Sequence, residues 1–410
     1  MTNLETLIQE LCPDGVEFRT MEEVFEIRNG YTPSKNNPDF WEGGTIPWFR
    51  MEDIRQNGRI LSDAIQHITP AAIKGKGLFP ANSIIIATTA TIGEHALVIA
   101  DSLANQRFTN LAVRKSLSAC LLPKFVFYYM FVIDEWCKKN VNAGNFASVD
   151  MKRFKKLEFP LPPIEVQTEI VRILDKFTSL EAELEAELDC RKRQYEYYRD
   201  KLLSFENVGG QEVEWKKMSE VCLKTSKINW KLVEGEYKYI DLSSVDRDNH
   251  KISDCTIINK ENAPSRAQQV VKTGDILFGT TRPTLMRFCY IPKEYDGEVC
   301  STGYCVIRVN NEMINSHFAY HFLFTQKFQD YVEGHQKGAS YPAISNKDVM
   351  SFELPIPSLQ EQERIATILD RFESMTTALQ SGLPAEIAAR RQQYEHYRDK
   401  LLTFKRKGAA

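Results

Sequence analysis

The feature that most constrains this chain is an internal duplication. Residues 194–205 read QYEYYRDKLLSF and residues 393–404 read QYEHYRDKLLTF, so the two segments differ only at their fourth and eleventh positions. Upstream, IVRILDKF (170–177) corresponds to IATILDRF (365–372), and FPLPPIEVQ (159–167) corresponds to LPIPSLQEQ (354–362). Such a repeat indicates that one supersecondary arrangement occurs twice, so the fold must contain two similar halves.

Each repeat has the pattern of a long helix. From Val166 through Ile170, Ile173 and Phe177 to Phe205, and again from Ile365 to Phe404, apolar residues recur mostly at steps of three and four. This spacing is typical of the contact face of a coiled coil or of a long amphipathic helix. About 40 helical residues extend about 60 Å, at about 1.5 Å per residue. In the second copy Gly382 and Pro384 predict that one helix ends and another begins near 381–384.

The segments that precede the helices also correspond. VEFRTMEEV (16–24) matches VEWKKMSEV (213–221), and LFPANSIIIATT (78–89) matches VVKTGDILFGTT (270–281). The runs SIIIATT and DILFGTT predict buried strands, whereas LPKFVFYYMFVIDEWCKK (122–139) predicts a helix. We therefore predict an α+β fold with two mixed α/β domains alternating with two long helices, which pair as an antiparallel coiled coil with pseudo-two-fold symmetry.

This organisation predicts domain boundaries. The first globular domain spans 1–160, and its residues 1–15 form a short helix that completes the C-terminal end of the chain. The first long helix spans 161–206, the second globular domain 207–356, and the second long helix 357–405, followed by a tail at 406–410.

Composition limits the classes of function. Lysine and arginine number 52 against 55 acidic residues, a net charge of −3, so a strongly basic nucleic-acid-binding chain is not indicated. Any DNA-binding face must gather its positive charge by folding, or share it with a partner. No apolar run reaches the ~18 residues of a membrane span and the N-terminus lacks a signal-peptide pattern, so we expect a cytoplasmic protein.

The nine cysteines are irregularly spaced and form no Cys-x-x-Cys pair, which favours reduced thiols. One alternative is a metal site that combines Cys300 and Cys305 with His317 and His321. We favour ordinary packing for these residues, because the spacing typical of zinc ligands is missing.

Motifs for catalysis are weak. KGKGLF (74–79) lacks the Lys-Ser/Thr ending of a phosphate-binding loop, and no glycine-rich cofactor turn accompanies the Asn37-Pro38-Asp39-Phe40 segment. We therefore expect no catalytic residues, no metal ligands and no cofactor bound by this chain.

Residues 29–54 carry a family resemblance. A Gly-x-Thr-Pro-Ser segment is followed by an aromatic residue, a Gly-Gly pair and Ile-Pro-Trp; these are Gly30, Thr32, Pro33, Ser34, Trp41, Gly43, Gly44, Ile46, Pro47 and Trp48. Together with NQRF (105–108) and the two repeated helices, this pattern resembles the specificity subunits of type I restriction-modification systems. EAELEAEL (181–188) resembles the short spacer repeat of their type IC subclass. The second domain departs from the pattern, with KTSKINWKLVEGEYKYIDL at 224–242.

The resemblance implies a non-catalytic reader of double-stranded DNA. Each domain, as a target-recognition domain, would read one half of a bipartite sequence, and the helix that carries EAELEAEL would set the unspecified spacer between the halves. Two modification subunits would carry S-adenosylmethionine, and restriction subunits would use ATP and Mg. The alternative is a duplicated coiled-coil scaffold that binds protein partners without reading DNA.

Candidate DNA contacts are the polar side chains that commonly meet base edges and phosphates. In the first domain they are Thr32, Ser34, Lys35, Asn36, Asn37, Arg50, Lys74, Lys76, Thr88, Thr89, Gln106 and Arg107. In the second they are Lys227, Asn229, Lys231, Arg266, Gln268, Gln269, Thr280, Thr281, Arg282, Arg287 and Lys337. Trp41, Trp48 and Trp230 are candidates for stacking on an extruded base, although core packing is the interpretation we favour.

Overall fold

The computed structural model describes residues 3–142, 147–205, 213–377 and 382–408. It divides into two compact units, one formed by Met1–Glu183 with Ala388–Ala410 and the other by Leu184–Ile387. Each unit combines open sheets with helices, which confirms the predicted mixed α+β architecture with two repeated domains. The junction at 206–212 and residues 378–381 of the expected helix break lie outside the described residues.

The first unit contains a globular domain and the beginning of a long helix. Its strands are β1 (Glu17–Thr20), β2 (Phe25–Asn29), β3 (Ile46–Phe49), β4 (Ile60–Leu61), β5 (His67–Ile68), β6 (Ser83–Ala87), β7 (His95–Val98), β8 (Leu103–Ala104), β9 (Phe108–Val113), β10 (Val141–Asn142), β11 (Ser148–Val149) and β12 (Glu158–Leu161). Its helices are α1 (Asn3–Leu11), α2 (Met21–Val24), α3 (Met51–Asn57), α4 (Pro123–Lys139), α5 (Met151–Lys156) and α6 (Ile164–Leu203), of which α6 continues into the second unit.

A five-stranded sheet in the order β2-β9-β6-β7-β4 forms the centre of the first domain, and a three-stranded sheet in the order β5-β3-β8 lies beside it. The central strand β6 is buried along its whole length. Ile84 and Ile86 face one apolar cluster, which includes α4, while Ile85 and Ala87 face another. Because side chains alternate along a strand, a continuous apolar run such as SIIIA serves two faces at once. The predicted buried strand and the predicted helix at 122–139 are both confirmed.

The second unit repeats this plan. Its strands are β13 (Glu214–Lys217), β14 (Ser226–Lys227), β15 (Tyr237–Ile240), β16 (Thr256–Ile258), β17 (Ala267–Val270), β18 (Ile276–Gly279), β19 (Phe288–Tyr290), β20 (Val299–Ser301), β21 (Tyr304–Ile307) and β22 (Glu353–Ile356). The helices that follow α6 are α7 (Met218–Val221), α8 (Ser316–Phe322), α9 (Gln326–His335), α10 (Asn346–Val349), α11 (Leu359–Thr377) and α12 (Leu383–Leu401); the last part of α12 belongs to the first unit.

In the second domain the sheets have the orders β14-β17-β20-β15-β16 and β19-β18-β21. Strand β18, the predicted buried run ILFG, is buried throughout. The first and last strands of each domain pair antiparallel, β1 with β12 and β13 with β22, with Glu17 opposite Leu161 and Glu214 opposite Ile356. The chain therefore enters and leaves each domain on neighbouring strands, and a long helix follows the second of these strands.

A buried glutamine at the start of each long helix ties the domain to that helix. Gln167 accepts a hydrogen bond from the Leu122 amide (2.9 Å) and donates to the carbonyls of Cys120 and Pro162, each at 2.7 Å. Its side chain is fully buried. One amide group thus satisfies an N–H and two carbonyls that burial would otherwise leave unpaired.

Gln362 makes the same three bonds in the second unit. It accepts from the Asn315 amide (2.7 Å) and donates to the carbonyls of Met313 (3.2 Å) and Pro357 (2.8 Å). It too is fully buried. We call these two sets of bonds the glutamine clamps.

A carboxylate two turns further along each helix makes a second attachment. In the first unit Asp175 accepts from Lys124 Nζ and from the Tyr128 hydroxyl, both at 2.7 Å. In the second unit Asp370 Oδ1 lies 2.7 Å from His321 Nε2, and its Oδ2 lies 2.9 Å from His317 Nδ1.

Charge and burial act in opposite directions on the second of these carboxylates. Burial by itself would raise the pKa of Asp370, but the hydrogen bonds from His317 and His321 outweigh it and lower that pKa to about 2. The bond to Asp370 in turn raises the pKa of His317.

In both units the long helices pair through an equivalent contact between a phenylalanine and a tyrosine. In the first unit Phe177 of α6 stacks on Tyr397 of α12, with ring centroids 5.6 Å apart, and Glu181 pairs with Arg391 at 2.5 Å. Residue numbers rise on α6 as they fall on α12, so these segments run antiparallel, as predicted. In the second unit Tyr198 stacks on Phe372 of α11 at 5.7 Å.

The face that each helix buries differs slightly from the predicted one. Val166 and Ile170 are fully buried as expected, but Leu174 is fully buried where the spacing favoured Ile173, which is only partly buried. The reason is that α6 packs on the first domain over these turns as well as on α12, and the domain determines which side is covered.

Residues at the two ends of the chain meet within the first unit. The Val16 amide donates to the Lys405 carbonyl (2.8 Å), and the Lys407 amide donates to the Val16 carbonyl (2.9 Å). Leu4 of α1 and Leu402 are buried in the same apolar cluster. No helix within the described ranges is both long and apolar enough to cross a bilayer.

Replacing a clamp glutamine with an apolar residue tests this attachment. We expect Gln362→Leu to lower the free energy of unfolding by about 1–3 kcal/mol, because the Asn315 amide and two carbonyls lose their partner inside the protein. Thermal unfolding and amide hydrogen exchange at Asn315 measure the effect. Gln360→Leu, at an exposed position of the same helix, is the matched control; equal stability of the two variants would contradict the clamp.

Candidate nucleic-acid interface

The segments that carry several candidates of the first unit meet at one turn, residues 105–107. The Tyr31 amide donates to the Ala104 carbonyl (2.9 Å), the Asn105 amide to the Phe49 carbonyl (3.0 Å), and the Thr88 amide to the Arg107 carbonyl (3.0 Å). The turn therefore joins the loop after β2 to the ends of β3 and β6. We define the first candidate surface as residues 30–37, 50, 74–76, 88–89 and 105–107.

Gly30 is the residue that allows the loop to approach the turn. A Cβ atom at this position would lie 2.3 Å from the carbonyl oxygens of both Ala104 and Asn105, which is far inside van der Waals contact. The requirement is one of space, because the backbone of Gly30 is not in the left-handed region. Only glycine, which has no Cβ, therefore allows the loop to lie this close to the turn.

Two tryptophans hold the same loop from beneath. The Trp48 indole is buried and its Nε1 donates to the Tyr31 carbonyl at 3.0 Å, while Trp41 Nε1 donates to the Ser34 carbonyl at 3.0 Å. The two rings meet edge to face with centroids 5.1 Å apart. In the second unit Trp230 Nε1 donates to the Ala267 carbonyl at 2.8 Å. The packing interpretation of the tryptophans is thus the one that matches the structure.

The candidates of the first surface differ in exposure. Seven are exposed: Ser34, Lys35, Asn36, Lys74, Lys76, Gln106 and Arg107. Thr32, Asn37, Arg50 and Thr89 are half-buried, and Thr88 is buried.

Several of the less exposed side chains have partners within the protein. Thr32 donates to Gln106 Oε1, Asn37 accepts from the Asp39 amide, Arg50 pairs with Glu52 at 3.2 Å, and the Thr88 hydroxyl lies 2.9 Å from that of Thr109.

In the second unit the candidates surround the turn at Thr302 and Gly303. The Thr302 amide donates to the Arg266 carbonyl (2.9 Å), and the Thr280 amide donates to the Gly303 carbonyl (2.8 Å). Lys337 exchanges backbone hydrogen bonds with Ala343, and the Arg282 amide donates to the Pro342 carbonyl (2.7 Å). We define the second candidate surface as residues 227–231, 266–269, 280–282, 302–303, 337 and 341–343.

Eight candidates of the second unit are exposed: Lys227, Asn229, Lys231, Arg266, Gln268, Thr281, Arg282 and Lys337. The other three make internal bonds. Gln269 Nε2 donates to the carbonyls of Ser301 (3.1 Å) and Tyr304 (2.9 Å), the buried Thr280 hydroxyl donates to the Gly303 carbonyl (2.9 Å), and Arg287 donates to the Leu242 carbonyl. The guanidinium of Arg287 is thereby engaged within the protein.

The two surfaces share an equivalent arrangement of backbone hydrogen bonds, which we call the backbone frame. The Val149 amide donates to the Thr88 carbonyl (2.9 Å) in the first unit, and the Ile344 amide donates to the Thr280 carbonyl (3.0 Å) in the second. Thr88 and Thr280, which directly follow β6 and β18, thus occupy equivalent positions. What differs between the surfaces is the set of exposed side chains around the frame.

Sequence reasoning missed two residues. Tyr341 is 74% exposed, and the Arg282 guanidinium lies over its ring at 5.5 Å, an arrangement that also presents an aromatic face. Arg28 donates to the carbonyls of Lys76 (2.9 Å) and Leu78 (2.6 Å) and so shapes the lysine-bearing loop. No periodic pattern indicated either residue, because both roles depend on contacts between segments far apart in the chain.

The proposed alternative of a shared cysteine–histidine metal site does not match the structure. Cys300 and Cys305 are buried in two different apolar clusters, and burial raises the pKa of Cys305 to about 12. His317 and His321 face Asp370 instead. Among the described residues, the group of potential ligands that comes together is His321, Asp370 and Glu373, and it contains no cysteine.

Comparison with known sequences identifies the family. A profile described as the type I restriction modification DNA specificity domain matches residues 13–189 and again 211–389, which together make up most of the chain. The chain belongs to the type I restriction-modification DNA-specificity family. The two matches coincide with the two halves of the duplication.

Relatives of this specificity chain include two from Escherichia coli. The EcoprrI specificity subunit is 39% identical over 383 residues, covering 90% of this chain and 91% of that protein. The EcoR124I/EcoR124II specificity subunit is 32% identical over 310 residues, covering 69% and 71%. Among solved structures, the S subunit from M. genitalium matches over 94% of this chain and 95% of that one, with 17% identity and a TM-score of 0.49.

The close approach at Gly30 yields a prediction for this specificity chain. We expect Gly30→Ala to displace the loop 31–37 from the turn at 105–107, because the added methyl group would overlap two carbonyl oxygens. Faster amide exchange at Tyr31 and a change in Trp48 fluorescence measure the displacement. Gly334→Ala, where a Cβ would meet nothing within 4 Å, is the control. Unchanged exchange at Tyr31 would show that the loop tolerates the methyl group.

Proposed function

We propose that this chain reads a bipartite double-stranded DNA sequence, with one half-site bound by the first candidate surface and the other by the second. The observation that carries the proposal is the repeated frame with different exposed side chains. Direct reading of base edges depends on which donors and acceptors a surface presents. Two equivalent frames with different polar residues would therefore bind different half-sites in the same manner.

The distribution of positive charge supports this proposal despite the net charge of −3. Lys35, Lys74, Lys76 and Arg107 are exposed on the first surface, and Lys227, Lys231, Arg266, Arg282 and Lys337 are exposed on the second. Contacts with phosphates position a protein on DNA and make its affinity fall with salt. We propose that these cations bind the phosphate backbone or guanine edges.

Not every candidate is equally suited to contact DNA. We propose that Thr88, Thr280, Gln269 and Arg287, whose side chains bond within the protein, hold the frame, and that the exposed candidates make the contacts. Thr32 would act through Gln106, to which it donates.

The chain would supply no chemistry of its own. We propose that it docks two modification subunits, which carry S-adenosylmethionine, and restriction subunits, which use ATP and Mg. The solvent-facing sides of the long helices, which include the exposed Tyr197, would offer the surface for docking. The spacer-like EAELEAEL segment supports membership of the type IC subclass.

Exposed arginines of the two surfaces test the assignment of half-sites. We expect Arg107→Ala to weaken or relax recognition at one half-site only and Arg266→Ala to do so at the other, each by about 1–3 kcal/mol, because a bidentate contact is of this size. The measurement is methylation mapping in cells that carry each variant with the modification subunit, supported by binding of the assembled complex to targets altered in one half.

Lys156→Ala removes an exposed cation outside both surfaces and should leave both half-sites unchanged. If neither arginine variant altered either half-site, the two surfaces would not be the readers. If the assembled complex bound DNA without sequence preference, the duplicated scaffold would be the better description.

The length of α6 gives a second functional test. The helix is continuous from Ile164 to Leu203 and contains EAELEAEL. Inserting a further Glu-Ala-Glu-Leu after Leu188 adds about 6 Å of helix, at about 1.5 Å per residue. Four residues are close to one turn, so the apolar face is nearly preserved.

We expect the insertion to lengthen the unspecified spacer by one or two base pairs, roughly 3.4 Å each, while both half-sites stay the same. Methylation mapping of the insertion variant measures the spacer. An insertion of Glu-Ala-Glu-Glu combined with Leu184→Glu and Leu188→Glu, which breaks the apolar face, is the control and should lose activity. An active insertion variant with the original spacer would show that α6 does not set this distance.

A further inference from the structure

Two histidines and two carboxylates converge where α8 packs on α11 in the second unit. His317 and His321 are one turn apart on α8, and Asp370 and Glu373 are one turn apart on α11. The ligand atoms of His321, Asp370 and Glu373 all lie within 4.8 Å of one another, and His317 Nδ1 lies 2.9 Å from Asp370. We propose that this group, the α8–α11 cluster, binds a divalent transition-metal ion such as Zn²⁺.

The donor set suits such an ion. Imidazole nitrogens and carboxylate oxygens bind Zn²⁺ at about 2.0–2.2 Å, so atoms that share a tetrahedral ion lie about 3.4 Å apart. His321 Nε2 and Asp370 Oδ1 are now 2.7 Å apart. Small rotations of side chains would open the space that the ion needs. Three protein ligands, His321, Asp370 and Glu373, leave the fourth position to a water molecule from the adjoining cleft, and His317 holds Asp370 in place.

Neighbouring hydroxyl groups orient the ligands. His321 is fully buried, and its Nδ1 lies 3.3 Å from the Tyr195 hydroxyl, which leaves Nε2 facing Asp370. The Tyr320 hydroxyl donates to Glu373 Oε1 at 3.2 Å. Partners of this kind fix the ring and carboxylate orientations at metal sites. Tyr195 is therefore a positioning residue for the proposed site.

The first unit provides an internal comparison. Asp175 is the counterpart of Asp370 in the repeated ILD segments, and it binds Lys124 Nζ and the Tyr128 hydroxyl at the positions where Asp370 meets His317 and His321. An ammonium group thus supplies the positive charge in the first unit. In the second unit two imidazoles replace the ammonium and the phenol.

The counterpart of Glu373 by the same repeat is Thr178. At three of the four positions the second unit has His or Glu, which are common metal ligands. The first unit has Lys, Tyr or Thr at the same positions. The fourth position, Asp, is common to both. The second unit therefore gathers imidazole and carboxylate groups, which are the donors of a metal site, where the first unit has an ion pair and hydroxyl groups.

Solvent reaches the cluster. A cleft of about 570 Å³ is lined by His317, Tyr320, Asp370 and Glu373, among others, and side-chain exposure is 41% for His317 and 38% for Asp370. Lys251 lines the same cleft. The described residues bring together one group of potential ligands, so we expect one ion per chain.

The test uses the full-length chain after treatment with a chelator. Isothermal titration with ZnCl₂ should give one equivalent per chain, and titration with CoCl₂ should produce visible absorption bands of a low-symmetry site. We expect Glu373→Gln and His317→Gln each to weaken binding more than tenfold. Tyr195→Phe should weaken it about tenfold, the effect of losing a partner that orients a ligand.

His67→Gln is the matched control, because His67 and Asp63 form an exposed pair four residues apart in the first unit, 2.7 Å from each other. This variant should bind the metal like the unaltered chain. Circular dichroism establishes that each variant is folded. Should His317→Gln and Glu373→Gln both unfold, the cobalt spectrum of the unaltered chain still decides between a bound and an unbound cluster.

Two results would overturn the proposal. The first is a folded, unaltered chain that binds neither Zn²⁺ nor Co²⁺ saturably, which would leave the cluster as a hydrogen-bonded attachment like that of Asp175. The second is binding that persists unchanged in Glu373→Gln and His317→Gln, which would place the metal elsewhere. Neither result depends on DNA recognition, so the proposed function is tested separately.

Discussion

The buried amide of Gln167, and that of Gln362 in the second unit, is the interaction on which the rest of the structure depends. Each amide satisfies one N–H and two carbonyls where the chain leaves a domain and enters a long helix. Unpaired polar groups in such a place would cost more than most apolar contacts return. Because the bonds reach both the segment before the domain helix and the proline before the long helix, they fix how the helix leaves its domain. The aspartates two turns later extend the same attachment.

This attachment explains how the two domains of the chain can differ in their exposed side chains and still join the long helices in the same way. The first and last strands of a domain pair with each other, so the domain closes at the point where the glutamine holds it. The side chains proposed to meet DNA lie around the turns at 105–107 and 302–303, on a backbone frame that the two units share. Buried members of that frame, such as Thr88 and Thr280, bond inward, and exposed members are free to differ. Under the proposed function, stability and recognition rest on different residues of the same surface.

Much of the architecture follows from patterns in the chain. The duplication, the long helices, the buried strands β6 and β18 and helix α4 are predictable, because the period of apolar residues distinguishes strand from helix. The division of strands between a five-stranded and a three-stranded sheet is not, since it depends on pairings between distant segments such as β3 with β8. The glutamine clamps were also missed: a polar residue in an amphipathic helix carries no periodic signal, and only its burial reveals its role.

The candidate surfaces show the same limit. Residue type was sufficient to nominate Lys35, Arg107 or Arg266, and all three are exposed. Residue type could not distinguish these exposed candidates from Gln269 or Arg287, whose side chains bond to carbonyls more than 30 positions away in the chain. By itself the sequence determined that the chain is duplicated, that each half is a mixed domain followed by a long helix, and which family the pattern resembles. Only the tertiary structure decided which polar groups are buried and bonded and which face solvent, because hydrogen-bond partners are selected by three-dimensional proximity and not by spacing along the chain.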